Sequence, residues 1–330
     1  MNEQMLIDLD KWQFYFEQGF ALGKAVVSDK LYKKYTVYGM GGSGVSGKIL
    51  QDFFAAIGRI DLVGIAQYSH DLRFQDDSCP IFISYSGNTW ETLHMFERAL
   101  EQKQNPITIS HGGALADLSL RAGLQHVALP QMLTPRSSLP LVLGVIFGLL
   151  ADVLQDEADI HLFGNLIARS IEFYKHYNFG PWLELAAPLT LLHVWGVSHH
   201  TEGLAYRAVT QLNENAKLLT AYALVPELTH NLIVGFEQGC KDQAVLLVET
   251  DFMSDNLKTL TQELSKLLTE CGVRVYKPQI FGDTLLHQMM SIVIWADFAS
   301  VRLGIHRGFD TKKVRMIELL KQRLKAHRFS

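Results

Sequence analysis

Cysteine is scarce in this chain of 330 residues: Cys79, Cys240 and Cys271 stand far apart, with no CxxC pair. That spacing excludes a disulfide framework and a cysteine zinc site, and it suits a reducing compartment. Blocks of lysine and arginine are also missing, and 30 Lys+Arg against 34 Asp+Glu leave a formal net charge of −4. With no basic patch, no helix-turn-helix segment and no aromatic stripe for base stacking, no nucleic-acid partner is expected. Long apolar runs are lacking as well. The longest, residues 139–151, is too short to cross a bilayer and reads as a buried helix. Residues 1–24 hold Glu3, Asp8 and Asp10 and no apolar signal core. A cytoplasmic protein with no membrane partner is expected. The 13 histidines are scattered, His199-His200 are adjacent, and H-E-x-x-H spacing is absent, so no metal is expected.

Apolar residues make up 48% of the chain and charged residues 19%, which describes a globular protein with a large core. The length admits two domains. Residues 5–28 carry a helical pattern (Leu6, Trp12, Phe16, Phe20) that packs as an arm. Strands are then expected at 35–38, 61–66, 80–84, 106–109 and 125–128, alternating with helices at 45–57, 89–102 and 114–121. Such alternation predicts an α/β fold, with parallel strands doubly wound by crossover helices. The apolar helix beginning near Ser137 closes this first domain at residue 154. The second, 155–330, opens with a helical bridge to 185. The rhythm then restarts: strand 188–197, helix 202–218, strands 231–234 and 243–248, helix 254–270 and strand 273–276. Helices 284–304 and 311–326 finish the chain.

The stretch Tyr38-Gly39-Met40-Gly41-Gly42-Ser43-Gly44-Val45-Ser46-Gly47 lies between the first strand and the first crossover helix, where bare backbone N–H groups can meet an anion. Gly39, Gly41 and Gly44 fit the dinucleotide fingerprint, but Asp61 begins the next strand rather than ending it, where a ribose acid belongs. Gly42 and Gly47-Lys48 approach a P-loop, but Ile49 replaces the magnesium-binding hydroxyl. In a third reading the stretch closes over a sugar phosphate together with Ser84-Tyr85-Ser86-Gly87-Asn88-Thr89. That segment also follows a strand and precedes a helix. Its hydroxyls at 84, 86 and 89 and the helix N-terminus suit a phosphate dianion. Asn88 and Glu91 have capping-box spacing, so a helix cap is expected too.

Together with Pro135-Arg136, the two segments resemble the sugar isomerase (SIS) domain, and more narrowly the bifunctional phosphoglucose/phosphomannose isomerase family. Later motifs match in order: Asn213-Glu214-Asn215, Pro226-Glu227-Leu228-Thr229-His230-Asn231, and Val314 to Lys321 in the last helix. Standing alone, Glu214 and His230 would each read as surface residues. The resemblance implies two flavodoxin-like SIS domains and an aldose–ketose isomerase acting on a phosphorylated hexose without cofactor. It makes Glu214 the base, His230 the ring-opening group, Arg136 the electrostatic stabiliser and Lys321 the C-terminal active-site lysine. It places the phosphate on Ser84, Ser86 and Thr89, with Gly41, Gly42 and Ser43 walling the sugar. It also implies a homodimer in which His230 is shared across the interface. Gly308-Phe309-Asp310-Thr311 departs from the family's Gly-Val-Asp-Pro, which leaves acceptance of mannose 6-phosphate open.

Overall fold

The computed structural model of the chain describes residues 3–26, 32–59, 62–66, 68–75, 77–154 and 158–326. Asp61 and the start of the expected bridge, residues 155–157, lie outside them. Helices α1 (Gln4–Leu9) and α2 (Trp12–Lys24) lead to β1 (Lys34–Gly39), α3 (Gly42–Ala56), β2 (Val63–Ala66) and β3 (Ser78–Ile83). Then come α4 (Trp90–Glu101), β4 (Ile107–Ser110), α5 (Gly113–Arg121), β5 (His126–Ala128), α6 (Leu139–Leu149) and α7 (Ala151–Leu154). The second half holds α8 (Ala158–His176), α9 (Gly180–Ala186), β6 (Leu191–Val197), α10 (Glu202–Ala216) and β7 (Leu219–Val225). It ends with β8 (Gln243–Leu247), α11 (Asp255–Glu270), β9 (Arg274–Tyr276), α12 (Leu285–His306) and α13 (Arg315–Ala326).

The strands form two wholly parallel sheets, ordered β2-β1-β3-β4-β5 and β7-β6-β8-β9. Numbered within its own half, the second repeats the first as far as it goes: 2-1-3-4, the flavodoxin-like order. Central strands are apolar on both faces because helices cover both. Every residue of β3 is buried, and Val37 of β1 stands in register with Ile65 and Ile81.

One expected strand is in the wrong place. Residues 231–234 lie in a tight 3-10 turn, Leu232–Phe236, begun where Leu232 N donates to the Asn231 side chain at 2.6 Å. The strand that pairs with β6 is β7, twelve residues earlier at its start (231 against 219). As an edge strand β7 is half-exposed over most of its length, so it lacks the continuous apolar signal of a buried strand. The N-terminal arm is likewise two helices, broken near Asp10-Lys11, rather than one.

Helices α2 and α6 approach each other through glycines. A Cβ at Gly19 or Gly23 would collide with the carbonyl oxygens of Leu141 or Val145, and one at Gly144 or Gly148 with those of Phe16 or Phe20. Small residues four apart on both helices let the backbones touch, and Phe16, Phe147 and Phe163 pack beside the contact. In the second half α12 is long and apolar enough to span a membrane, yet 83% of that window is buried inside the protein, where it packs on α8 and α10. It is a core helix.

Substituting Gly144 by valine forces the α2–α6 backbones apart. The expected cost is about 3 kcal/mol or more, read as a lower urea midpoint at unchanged slope. A midpoint equal to that of the unsubstituted chain would show that this contact is not tight.

Candidate active site

In the first sheet the chain winds away from β1 in one direction and from β3 in the other. Loops leaving the carboxyl ends of that pair border the crevice where open α/β sheets bind ligands. The loop after β1 turns at Gly41, whose φ of 54° with ψ of −128° is open essentially to glycine alone. Conformation sets this requirement, since a Cβ there would meet nothing within 4 Å. The loop after β3 lies alongside. Tyr85 N donates to Ser43 Oγ at 3.4 Å, and Ser84 Oγ donates to Thr89 Oγ1 at 3.0 Å. Ser84 is buried and Ser86 exposed. Thr89 sits at the N-cap of α4 without making a capping bond.

Asn88 does not cap that helix. Its amide donates to Ser86 O at 3.0 Å, and its Oδ1 accepts from Ala114 N at 3.1 Å, at the start of α5. Gly87 is in left-handed conformation (φ 66°), and a Cβ there would collide with the Gly112 carbonyl. The hydroxyl loop is thus braced by the next loop of the sheet.

Arg136 is the junction. It lies in a 3-10 turn, Pro135–Ser138, and is only 4% exposed. Its Nε donates to Asn215 Oδ1 at 2.7 Å, and Nη1 donates to Glu214 Oε2 at 3.1 Å. Nη2 donates to the Thr311 carbonyl and, at 3.4 Å, to that of Lys312. Gly42 lies against it: a Cβ at Gly42 would stand 3.5 Å from Arg136 Cα. Burial pulls the guanidinium below its ordinary pKa and Glu214 opposes that, while arginine starts high enough to stay charged. Behind it, fully buried Arg207 donates to Arg136 O at 3.1 Å and grips Asp297 through two bonds of 3.0 and 2.8 Å. Burial raises the Asp297 carboxyl and Arg207 holds it down.

Glu214 occupies the last turn of α10 with its side chain 24% exposed, so it is held by Arg136 and still reachable from outside. The next residue but two, Lys217, is left-handed (φ 52°) and ends the helix where glycine is usual. Its ammonium donates to the carbonyls of Glu214, Lys313 and Asp310 at 2.5, 2.8 and 3.0 Å. Burial, with Arg136 nearby, lowers its pKa. Lys217 thereby clamps the 310–313 segment over the end of α10. Thr311, in that segment, is wholly buried, and its hydroxyl has no hydrogen-bond partner among the described residues.

Sequence reasoning singled out Arg136 and Glu214, which are bonded, and Gly42, which touches Arg136. It also singled out Ser43, Ser84 and Thr89, which meet on the adjoining loops. It missed Lys217, two residues past the Asn213-Glu214-Asn215 motif, and Arg207 and Asp297, which carry no local signal; Thr311 entered only as a departure from the family's Gly-Val-Asp-Pro. His230 ends a 3-10 turn, Glu227–His230, beyond β7. Both it and Lys321 of α13 are exposed, and among the described residues neither side chain has a hydrogen bond or ion pair. The 7 residues of β7, at about 3.3 Å each, separate the Glu214 end of α10 from the His230 turn by roughly 20 Å.

Among the described residues no three His, Cys, Asp or Glu are grouped as a metal would need. A cavity of about 350 Å³ opens elsewhere, beyond β8 and β9 and next to the Glu249–Lys277 ion pair (2.6 Å). None of the residues around Arg136 lines it.

Residues 183–324 match a family model described as the bacterial phospho-glucose isomerase C-terminal SIS domain. A curated bifunctional phosphoglucose/phosphomannose isomerase from Thermoplasma volcanium is 30% identical, over 98% of this chain and 99% of that one. A protein of the same name from Caldicellulosiruptor bescii is 27% identical over 93% and 95%. Tagatose-6-phosphate ketose/aldose isomerase from Escherichia coli superposes with a TM-score of 0.70, covering 95% of both chains at 14% identity. That last likeness shows the fold alone.

Breaking the buried Arg207–Asp297 pair from one side, by R207M or D297N, leaves an uncompensated buried group. Each single change is expected to cost about 3–5 kcal/mol in urea denaturation, and R207M/D297N together less than the two singles added. Additive losses would mean that the pair does not act as a unit.

Proposed function

The chain belongs to the bifunctional phosphoglucose/phosphomannose isomerase family, and from that premise we propose that it interconverts glucose 6-phosphate or mannose 6-phosphate with fructose 6-phosphate. The observation that carries this reading is the Arg136–Glu214 contact, set beside a glycine turn and a hydroxyl-rich loop. Ser84, Ser86, Thr89 and the N-terminus of α4 take the phosphate, as helix ends take anions. Gly41, Gly42 and Ser43 wall the sugar. The Glu214 carboxylate removes the proton from C2 of the open-chain aldose; the C2–H pair forms the C1=C2 bond, the carbonyl pair moves onto O1, and O1 takes a proton to give the cis-enediol. Loss of the O2 proton then forms the C2=O bond as Glu214 returns its proton to C1. The enediol has lost the stereochemistry of C2, which is why one intermediate serves both epimers. Arg136 stabilises the negative charge that builds on oxygen as the enediolate forms.

The ring-opening acid–base step falls to His230 in this reading, and the partner subunit supplies it. Three features support a homodimer: the strand length separating Glu214 from His230, the half-exposed edge strand β7, and the apolar side chains α13 leaves in the open. Met316 and Leu320 on α13 are 80% and 57% exposed, and Leu219 on β7 is 66% exposed. Lys321 on α13 reaches an active site in the same assembly. We read residues 1–154 and 155–330 as two SIS units and place the enzyme in the cytoplasm, in keeping with its few, well-separated cysteines.

E214Q is expected to lower kcat by about 10³-fold or more while phosphosugar binding survives. Exchange of the C2 hydrogen in deuterated water, followed by NMR, reads this directly. Near-normal exchange in E214Q would remove Glu214 from the role of base, and no exchange in the native chain would make it a binder rather than an enzyme. The shared histidine has its own test. E214Q and H230A subunits, each inactive, should regain about a quarter of native activity when unfolded and refolded together, since half the dimers then hold one intact site. No recovery would place both residues in one subunit.

A further inference from the structure

We propose that Asp52 is a positioning residue for this reaction: from α3 it caps the N-terminus of α10, the helix that carries Glu214, and so fixes the base relative to the glycine turn. The inference rests on the role of Glu214 proposed above.

A helix begins with N–H groups that have no partner within it, and a side chain at its N-cap ordinarily accepts from the second or third of them. At α10 the N-cap is Thr201, a suitable residue, but its hydroxyl is engaged elsewhere. It accepts from Val197 N at 2.9 Å and donates to Val248 O at 2.7 Å. The place it leaves is filled from the other half of the protein. Asp52 Oδ2 accepts from Gly203 N at 2.7 Å and Leu204 N at 3.1 Å, the second and third residues of α10. Asp52 is 3% exposed, so water does not substitute for it. Gly203 permits the approach, because a Cβ there would collide with the Lys48 carbonyl of α3.

The two helices are therefore tied twice. Asp52 joins the body of α3 to the first turn of α10. At the other end Arg136, lying against Gly42 at the start of α3, joins the last turn of α10 through Glu214 and Asn215. Eleven residues separate Gly203 from Glu214, about 16 Å of rigid helix. A change of height or tilt at the Asp52 end is carried along that rod to the carboxylate, where a misplacement of about 1 Å can cost 10²-fold in rate.

Around Asp52 stand Glu202 in the first turn of α10, Tyr222 of β7, whose hydroxyl donates to Glu202 O at 3.1 Å, and Lys48 of α3, which lies over the Tyr206 ring at 5.2 Å. Burial pushes the Asp52 carboxyl up to about 7, with the two backbone donors pulling the other way. A folded-state value above the usual 3.8 means that folding favours the protonated form. The stability this contributes is full in acid and lost as pH rises from about 4 through 7.

Three substitutions test the proposal. D52A removes the acceptor and is expected to lower kcat 10- to 100-fold with KM within about twofold. It should also speed hydrogen exchange of the Gly203 and Leu204 amides. D52N keeps an acceptor oxygen and should restore kcat to within about threefold of native. It should also abolish the loss of stability between pH 5 and 7, since it cannot ionise. G203A displaces α10 without touching the carboxylate and should lower kcat as D52A does. A folded D52A with native kcat overturns the proposal. Should D52A fail to fold, D52N decides: a folded D52N with more than about 30-fold loss overturns it, and native kcat with protected amides supports it. These outcomes are separate from the base assignment, which fails only if E214Q stays active. A native chain without C2 exchange overturns both.

Discussion

A guanidinium buried to the last few per cent of its surface must find acceptors for its donors, and Arg136 finds them in parts of the chain far apart in sequence. Its bonds reach Asn215 and Glu214 at the end of α10 and the carbonyls of the 311–312 segment, while its own carbonyl accepts from Arg207. The arrangement of the two sheets follows. With α10 running back from β6, its last turn lies toward the amino ends of the second sheet's strands. Arg136 brings that turn to the carboxyl-end loops of the first sheet. The halves thus meet head to tail, and the carboxyl ends of the second sheet, with the His230 turn, face elsewhere.

This geometry gives two nearly identical architectures different work. In the first half the loops after β1 and β3 are shaped by positive-φ glycines and by hydroxyls that bond one another. In the second, the corresponding loops are engaged inwardly. Thr201 bonds to Val197 and Val248, and the loop after β8 is held by Gln288 bonding both Asp251 N and Oδ2 at 2.8 and 2.7 Å. The second half meets Arg136 through a helix end, the last turn of α10, rather than through those loops.

The legible parts of this protein were those encoded by local pattern. Among the described residues, period-two and apolar runs marked eight of the nine strands, of which the inner β3, β4, β6 and β8 are buried almost throughout by helices on both faces. The exception, β7, is half-exposed at a sheet edge and alternates too weakly to be seen. The glycine turn and the hydroxyl loop were visible as strings of residue types, and Arg136 through the family resemblance that Pro135-Arg136 completes. The support beneath them was not. Arg207 and Asp297 lie 90 residues apart, and Asp52 and Gly203 lie 151 apart, so each looks ordinary in its own neighbourhood. Asn88 shows the converse: its spacing from Glu91 suits a cap, yet tertiary contact with Ala114 claims its side chain.

That α10 is fastened at both ends bears on how this chain can change over time. Adding or removing one residue between Gly203 and Glu214 would turn the carboxylate by about 100° about the helix axis and move it about 1.5 Å along it. No side-chain adjustment absorbs such a rotation while both fastenings hold. Point replacements on the outer face of α10 are open to drift. Its length is not, so the count of residues between the two anchors is a constraint that percentage identity does not measure.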